Sequence, residues 1–237
     1  MIDVGNKIKR VMIQRAHKLQ FEKVYELIKG KPFILAGGAL SGDAVHDFDV
    51  YPDPESPYTF DEVVHNLGIQ TVKEASLIAH TRNALTVMLR EGQVVQFCSY
   101  QKAGLKELVD SFDFSHVQAG VRFSGANEPP RIDGVYYTDA FVAANVTRQT
   151  EYTGSEYPTS SMVRTLKYYK RGKITKGVAG RMLLLMMADV LKRGFDDYSD
   201  FKDQMDAIDL GLPDCDEARE LYKAVCDAKL VREESDK

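Results

Sequence analysis

The sequence predicts an α+β fold, with a small mixed sheet and flanking helices in residues 1–150 and an all-helical domain in residues 151–237. Two observations lead to this prediction. The first half contains short apolar runs bounded by glycine and proline, which is typical of strands and turns. From Pro158 onwards, apolar residues recur at spacings of three and four, which is typical of amphipathic helices.

The first elements lead to a pair of glycines. Apolar residues recur at helical spacing across residues 6–29, so we predict one helix there, ended by Gly30. Residues 33–36 are continuously apolar and predict a buried strand. Gly37 and Gly38 predict a tight turn directly after that strand.

A second strand is predicted around Phe48 and Val50, and Pro52 ends it. The rest of the first half is predicted as helix 61–67, a hairpin of strands 84–89 and 94–99, helix 102–111 and strand 116–123. The second half is predicted as four helices, at residues 160–171, 175–194, 199–208 and 216–229. The run Met182–Met187 is expected to lie in a helix core.

Composition excludes several classes of protein. The net charge of −4 argues against a surface that is basic throughout, so any nucleic-acid contact must be a local patch. Cys98, Cys215 and Cys226 form no CxxC pair, which argues against a disulfide framework or a zinc site. The opening residues lack the apolar segment of a signal peptide, and no apolar run is long enough to span a bilayer. We therefore expect a cytoplasmic protein without a membrane partner.

The residues most suggestive of chemistry are the glycine pair and two aspartates. Adjacent glycines after a strand allow close approach of a ligand, and their N–H groups can line a phosphate. Asp47 and Asp49 are two apart in a predicted strand and therefore point to the same face. Paired carboxylates suit Mg²⁺, which prefers oxygen ligands and bridges substrate phosphates. The alternative is a solvated strand end with two exposed aspartates.

This order of elements resembles the signature of the polymerase β-like nucleotidyltransferase superfamily, of the poly(A) polymerase and CCA-adding enzyme type. That signature is a strand, a Gly-Gly or Gly-Ser turn, a short helix and then Asp-h-Asp-h, where h is apolar; here it reads Gly37-Gly38 and Asp47-Phe48-Asp49-Val50. The resemblance spans roughly residues 30–195. The chain also resembles small nucleotidyltransferase-like proteins carried by bacteriophages.

Three further segments resemble the CCA-adding enzymes: residues 81–97, 112–118 and 158–172. The last resembles a helix whose basic residues face the incoming triphosphate, which implies that role for Arg164, Lys167 and Arg171; their spacings of three and four place them on one helix face. Arg82 is a further candidate for a triphosphate contact, or a solvated surface residue. Ser41 is a candidate for a phosphate contact, or a helix N-terminal cap.

The chain also departs from the superfamily pattern. Gln96 stands where the superfamily usually has a third carboxylate, and the base-reading Glu-Asp-x-x-Arg motif of the CCA-adding enzymes has no match. Asp113 is a candidate catalytic residue: it either supplies the missing carboxylate or positions the nucleotide and the fold.

The resemblance implies an Mg²⁺- or Mn²⁺-dependent enzyme that moves an NMP from an NTP, such as ATP, to an acceptor hydroxyl and releases pyrophosphate. A tRNA-like RNA 3′ end is one candidate acceptor, and a hydroxyl of a protein or small molecule is another. Two other functions stay open: a catalytically silent nucleotide-binding protein, and a toxin-like transferase that modifies tRNA or protein. The active-site cleft is expected between the two domains.

Overall fold

A mixed sheet of seven strands organises the first half of the chain in a computed structural model, which describes residues 4–41, 47–69, 75–81, 83–99, 104–125, 131–206 and 216–227. The strands are β1 (Phe33–Ala36), β2 (Asp47–Pro52), β3 (Ser76–His80), β4 (Ala84–Met88), β5 (Val94–Cys98), β6 (Ala119–Phe123) and β7 (Ile132–Tyr137). Their order is β3-β4-β5-β2-β1-β6-β7. Strands β2 and β5 pair in parallel, and the other neighbours pair antiparallel.

The chain divides into two compact units, Met1–Thr150 and Glu151–Lys237. The first unit contains the sheet and five helices among its described residues: α1 (Val4–Ala16), α2 (Phe21–Leu27), α3 (Phe60–Ile69), α4 (Leu105–Asp110) and α5 (Asp139–Thr147). The described part of the second unit is helical: α6 (Pro158–Lys170), α7 (Lys176–Arg193), α8 (Tyr198–Asp206) and α9 (Asp216–Asp227). The α+β fold class is therefore confirmed.

One face of the sheet is buried beneath α1, α2, α3 and α5. This face contributes alternate residues of each strand, as the period of two requires, to a single apolar core. Phe33 and Phe123, on neighbouring strands, stack with ring centroids 4.6 Å apart. Burying one such side chain contributes about 1.5–3 kcal/mol, so this face fixes the register of the sheet.

The opposite face carries α4 on its β1–β6–β7 side. Leu108 of α4 packs on Ile34 and Ala36 of β1, with Phe112 at the edge of this second, smaller cluster. Gly120 of β6 lies directly beneath the helix. A Cβ at this position would lie 2.7 Å from the Leu105 side chain and 2.8 Å from that of Val109.

The predicted helix over residues 6–29 is wrong in one respect, because it is two helices. The chain turns between Ala16 and Phe21, where Gln93 from the β4–β5 connection holds it by two hydrogen bonds. The Gln20 backbone N–H donates to the Gln93 side-chain oxygen at 2.7 Å, and the Gln93 amide donates to the Lys18 carbonyl at 2.9 Å. A contact across more than 70 residues is not visible as local periodicity.

In the second unit, α6 packs closely against α7 through small side chains. Ser161 and Thr165 of α6 are fully buried, and the Thr165 hydroxyl lies 3.5 Å from the Met186 sulfur. The prediction that Met182–Met187 lies in the core is only partly right. Met182 and Met186 are buried, whereas Leu184 and Met187 are 67% and 51% exposed, since one face of α7 meets α6. None of the helices in the described ranges combines the length and apolar character needed to cross a bilayer.

Gly120→Ala is expected to lower the free energy of unfolding by about 1–3 kcal/mol, the usual cost of overpacking, because the new methyl group meets Leu105 and Val109. Gly68→Ala in α3 is the control, since a Cβ there meets no atom within 4 Å. Alanine should stabilise that helix slightly. Urea unfolding of the two variants measures the difference; equal stability of both would contradict the packing described for α4.

Candidate active site

The glycine pair forms a turn whose first residue has a conformation that glycine adopts most easily. Gly37 has φ +85°, a conformation that costs an L-residue roughly 1–2 kcal/mol. It starts a short 3₁₀ helix, Gly37–Leu40, directly after β1. The predicted sequence of a buried strand followed by a tight turn is therefore what the structure shows.

Ser41 ends this turn. Its backbone N–H and its hydroxyl both donate to the Gly38 carbonyl, at 3.2 and 2.9 Å. Ser41 therefore lies at the C-terminal end of the 3₁₀ helix, and the residues that it would cap as a helix N-terminus, 42–46, lie outside the described residues. On the other side of the turn, the Arg15 guanidinium of α1 donates to the Leu40 carbonyl at 2.7 Å. The turn is thus held at both of its last residues.

Asp47 and Asp49 occupy one face of β2. Asp47 is exposed and Asp49 half-buried, while Phe48 and Val50 are buried in the core on the other face. A rise of about 3.3 Å per residue separates the two aspartate Cα atoms by roughly 6–7 Å. The structure therefore brings the two predicted carboxylates side by side.

The glycine turn lies directly beside Asp49. Ala36, the last residue of β1, is the antiparallel neighbour of Asp49, and Gly37 follows it. A Cβ on Gly37 would lie 3.5 Å from the Asp49 carboxylate oxygen Oδ2. A Cβ on Gly38 would meet no atom within 4 Å, so open space adjoins the turn at that residue.

Gln96 is the neighbour of Asp49 on the other side. It pairs with Asp49 in the parallel β2–β5 ladder and with Thr86 in the antiparallel β4–β5 ladder. The third position next to the carboxylates therefore carries an amide. Within the described ranges, no three Asp, Glu, His or Cys side chains gather as a possible metal-ligand set, so Asp113 does not complete a triad with Asp47 and Asp49 there.

Asp113 is 4% exposed and lies between α4 and a 3₁₀ turn at Ser115–Val117. Gln118 fixes this segment, since its amide donates to the Phe112 carbonyl at 2.8 Å and its oxygen accepts from the Thr138 hydroxyl at 2.8 Å. The Ser115–Val117 turn packs against the Gly37–Leu40 turn. This placement favours the interpretation that Asp113 supports the site rather than binds a metal.

Two residues next to the site, Tyr58 on the core side of the sheet and Cys98 on the face of the aspartates, carry no local pattern that marks them in the sequence. The Tyr58 hydroxyl lies 2.6 Å from the Val50 carbonyl and 3.0 Å from the Cys98 carbonyl, so it ties β2 to β5. Burial raises the pKa of Tyr58 well above its usual value, and burial together with the charge of Asp49 does the same for the pKa of the Cys98 thiol. Both groups are therefore neutral, and neither adds charge beside the aspartates.

The predicted basic contacts lie in the second unit. Arg164, Lys167 and Arg171 are exposed on α6 and at its C-terminal end, and the Arg164 guanidinium donates to the Ser160 hydroxyl at 3.3 Å. Arg82 and Cys215 lie outside the described residues.

Known proteins resemble the chain in sequence and in fold. A family model described as "Gabija anti-defense 2 family protein" matches residues 6–148. The chain has no match among curated proteins.

Among solved structures, a CCA-adding enzyme in complex with CTP aligns with 94% of this chain at 11% identity and a TM-score of 0.46. An apo CCA-adding enzyme aligns with 94% at 9% identity and a TM-score of 0.47, and a tRNA-processing enzyme with CTP aligns with 90% at 12% identity and a TM-score of 0.43. The chain spans little more than half of these structures, covering 54%, 56% and 57% of them.

Gly37→Ala and Gly38→Ala form a matched pair that tests the turn. Alanine at Gly37 should lower the free energy of unfolding by about 1–2 kcal/mol, because an L-residue is strained at positive φ. Alanine at Gly38 should leave stability within about 0.5 kcal/mol of the original, because its Cβ enters open space. Thermal and urea unfolding give both values; a Gly38 variant that is the less stable of the two would be inconsistent with this turn.

Proposed function

The chain belongs to the Gabija anti-defense 2 family, and we propose that it acts as a metal-dependent nucleotidyltransferase, with its action against Gabija exerted through that reaction. In this proposal the protein moves an NMP from an NTP to an acceptor hydroxyl and releases pyrophosphate. The observation on which the proposal rests is the arrangement of Asp47 and Asp49 on one face of β2, with the Gly37 turn against Asp49.

The donor set at this position fits Mg²⁺ or Mn²⁺. Asp47 and Asp49 offer carboxylate oxygens, and Gln96 offers an amide oxygen on the neighbouring strand, all of which are hard ligands that these ions prefer. Asp47 is exposed and forms no ion pair with any residue in the described part of the chain. When bound, a divalent ion would lower the pKa of the acceptor hydroxyl and stabilise charge on the phosphates.

The proposed reaction breaks one P–O bond and forms another. The acceptor oxygen attacks the α-phosphorus and loses its proton to solvent, and the bond from the α-phosphorus to the bridging oxygen of the β-phosphate breaks, so that pyrophosphate leaves with the bonding electron pair. The open turn at Gly38 would let backbone N–H groups approach the triphosphate, and Ser41, Arg82, Arg164, Lys167 and Arg171 are proposed as further contacts. Catalysis would then consist mainly of positioning and electrostatic stabilisation.

The second candidate function is a nucleotide-binding protein without turnover. The observation that favours it is the amide of Gln96 beside Asp49, in a described region that supplies no third carboxylate. An amide ligand binds a divalent ion more weakly than a carboxylate because it has no charge. Such a protein would keep the turn and the nucleotide affinity but not the chemistry, and it would counteract its target by binding.

Asp47→Asn and Asp49→Asn are each expected to lower pyrophosphate release and label transfer at least about 100-fold. Loss of metal binding removes several kcal/mol of transition-state stabilisation, which corresponds to that factor or more. The measurement uses labelled NTPs, Mg²⁺ and separate RNA and protein fractions of a cell extract as acceptors. The fraction that becomes labelled identifies the acceptor class.

Asp61→Asn is the matched control, since it removes one exposed carboxylate from α3 in the same unit. It should leave transfer unchanged, and all three variants should melt within a few degrees of the original protein. Wild-type activity in either site variant would refute the metal site. Stabilisation of the original protein by NTP and Mg²⁺ without any pyrophosphate release would establish the silent binder instead.

Gln96→Glu tests the third position directly. Without divalent ions the added charge repels Asp49, so the melting temperature should fall; with Mg²⁺ the third carboxylate should bind the ion more tightly and raise the melting temperature more than in the original protein. Activity at low Mg²⁺ should be kept or increased. Gln96→Met, which keeps the size but removes the oxygen ligand, should show a smaller Mg²⁺ effect; an identical Mg²⁺ response in all three proteins would place Gln96 outside the metal site.

A further inference from the structure

The helical hairpin of α6 and α7 carries a concentrated positive charge in an otherwise acidic chain. Residues 157–188 contain seven Lys and Arg residues and no Asp or Glu, whereas the whole chain has a net charge of −4. Five of the seven lie within residues 167–176, where α6 ends and α7 begins. We call these five residues the hairpin tip: Lys167, Lys170, Arg171, Lys173 and Lys176.

The backbone of the hairpin tip is fixed by hydrogen bonds. Gly172, at φ +69°, reverses the chain after α6. The Gly172 N–H donates to the Tyr169 carbonyl at 2.9 Å, and the Lys173 N–H donates to the Tyr168 carbonyl at 3.0 Å, which is the bonding of a Schellman motif. Close packing of α6 on α7 supports both ends. The cations are therefore presented on a rigid frame.

Helix stability does not account for this charge. Basic residues in the last turn of α6 interact favourably with the helix dipole, but Lys176 lies in the first turn of α7, where a positive charge costs up to about 1 kcal/mol. That turn contains no acidic residue. Lys167, Lys170, Arg171 and Lys176 are exposed and form no ion pair with any residue that the structure describes. These mutually repelling charges suit an external anion.

We propose that the hairpin tip binds the phosphate backbone of a nucleic-acid strand, with Tyr169 as a ring on which a base can stack. Tyr169 lies among the cations and is 44% exposed. Basic residues interleaved with exposed aromatic rings are the usual composition of single-strand binding surfaces. That the bound strand is also the acceptor for nucleotidyl transfer rests on the proposed function, whereas the binding of the strand does not.

The other polyanionic partners fit less well. A membrane surface requires several apolar side chains that insert beside the cations, but Ile174, the apolar residue of the turn, is only 7% exposed, which leaves Leu166 of α6, at 46%, as an aliphatic side chain next to the tip. Exposed Leu184 lies eight residues along α7 from Lys176, about 12 Å away. Protein interfaces are centred on clusters of apolar or aromatic anchors in closely packed pockets, whereas the exposed apolar side chains next to the tip, Leu166 and Tyr169, lie among five cations.

The test measures binding of the full-length protein to fluorescent single-stranded RNA and DNA of one mixed sequence. Strands of about 20 nucleotides exceed the usual site sizes of about 4–16 nucleotides. Lys170→Ala with Lys176→Ala should weaken binding about tenfold and reduce the salt slope of log K by about 1.4, because each phosphate that a lysine neutralises on a single strand contributes about 0.7 to that slope. Comparison of the RNA and DNA arms identifies which backbone is preferred.

Lys192→Ala with Lys223→Ala is the matched control, because it removes the same charge from exposed lysines in α7 and α9. It should leave affinity within about twofold and the slope unchanged. Tyr169→Leu should weaken binding of the strand but not its salt slope, since stacking contributes about 1–3 kcal/mol per base without releasing counterions.

Each result decides for or against the hairpin tip. Equal losses in the two double variants, or no binding to either strand at low salt, would overturn the proposal. So would tighter binding to polyglutamate or to phosphatidylserine vesicles that depends on the same lysines. Stabilisation by NTP and Mg²⁺ should be unchanged in Lys170→Ala/Lys176→Ala. A protein that binds strands through the tip but transfers no nucleotide would therefore reject the proposed function alone.

Discussion

The burial of one face of β2 is the constraint on which the candidate site depends. Phe48 and Val50 must enter the core, and a strand has a period of two, so Asp47 and Asp49 have to share the opposite face. A slip of one residue would bury both carboxylates and expose both apolar side chains. The burial of the two apolar residues therefore sets the position of the two carboxylates on the opposite face.

The surroundings of this face keep negative charge low around the aspartates. The same face also carries Gln96, Cys98 and Tyr51. Gln96 offers a neutral amide and Tyr51 a hydroxyl, and the raised pKa of Cys98 keeps its thiol neutral at pH 7. Tyr58 ties the two strands from the core side without adding a charge. Two carboxylates bind a divalent ion more weakly than three would. In the proposed metal site, an ion would therefore depend more on the phosphates of a bound nucleotide than in a site with three carboxylates.

Most of the elements around the site could be predicted from the sequence, because apolar runs, strand alternation and turn residues within a short segment determine them. The apolar run before Gly37, the alternation around Asp49 and the hairpin after Asn83 each have a pattern within ten residues. Strand β7 was missed because Asp133-Gly134 reads as a turn, and α5 because its apolar residues surround the helix rather than one side. The turn between α1 and α2 was missed because Gln93 holds it from a distant segment.

Prediction was also limited within the site. The positions of Asp47, Asp49 and Gln96 in the sheet follow from strand alternation and pairing. Tyr58 follows a proline-rich loop and has no distinguishing neighbour pattern; its role becomes visible only when Val50 and Cys98 are brought together. The sequence allows two alternative roles for Asp113, and its burial between α4 and the Ser115–Val117 turn favours the supporting one.

The pairing of the central strands also has a consequence for how the molecule folds. β1 lies between β2, which follows it closely in the chain, and β6, where Phe33 pairs with Phe123 about 90 residues away. β2 in turn needs β5, since Asp49 pairs with Gln96. Contacts of such large sequence separation form slowly, because the entropy of closing long loops must be lost first. During synthesis, the aspartate pair would therefore reach its final surroundings only after most of the first unit has been made.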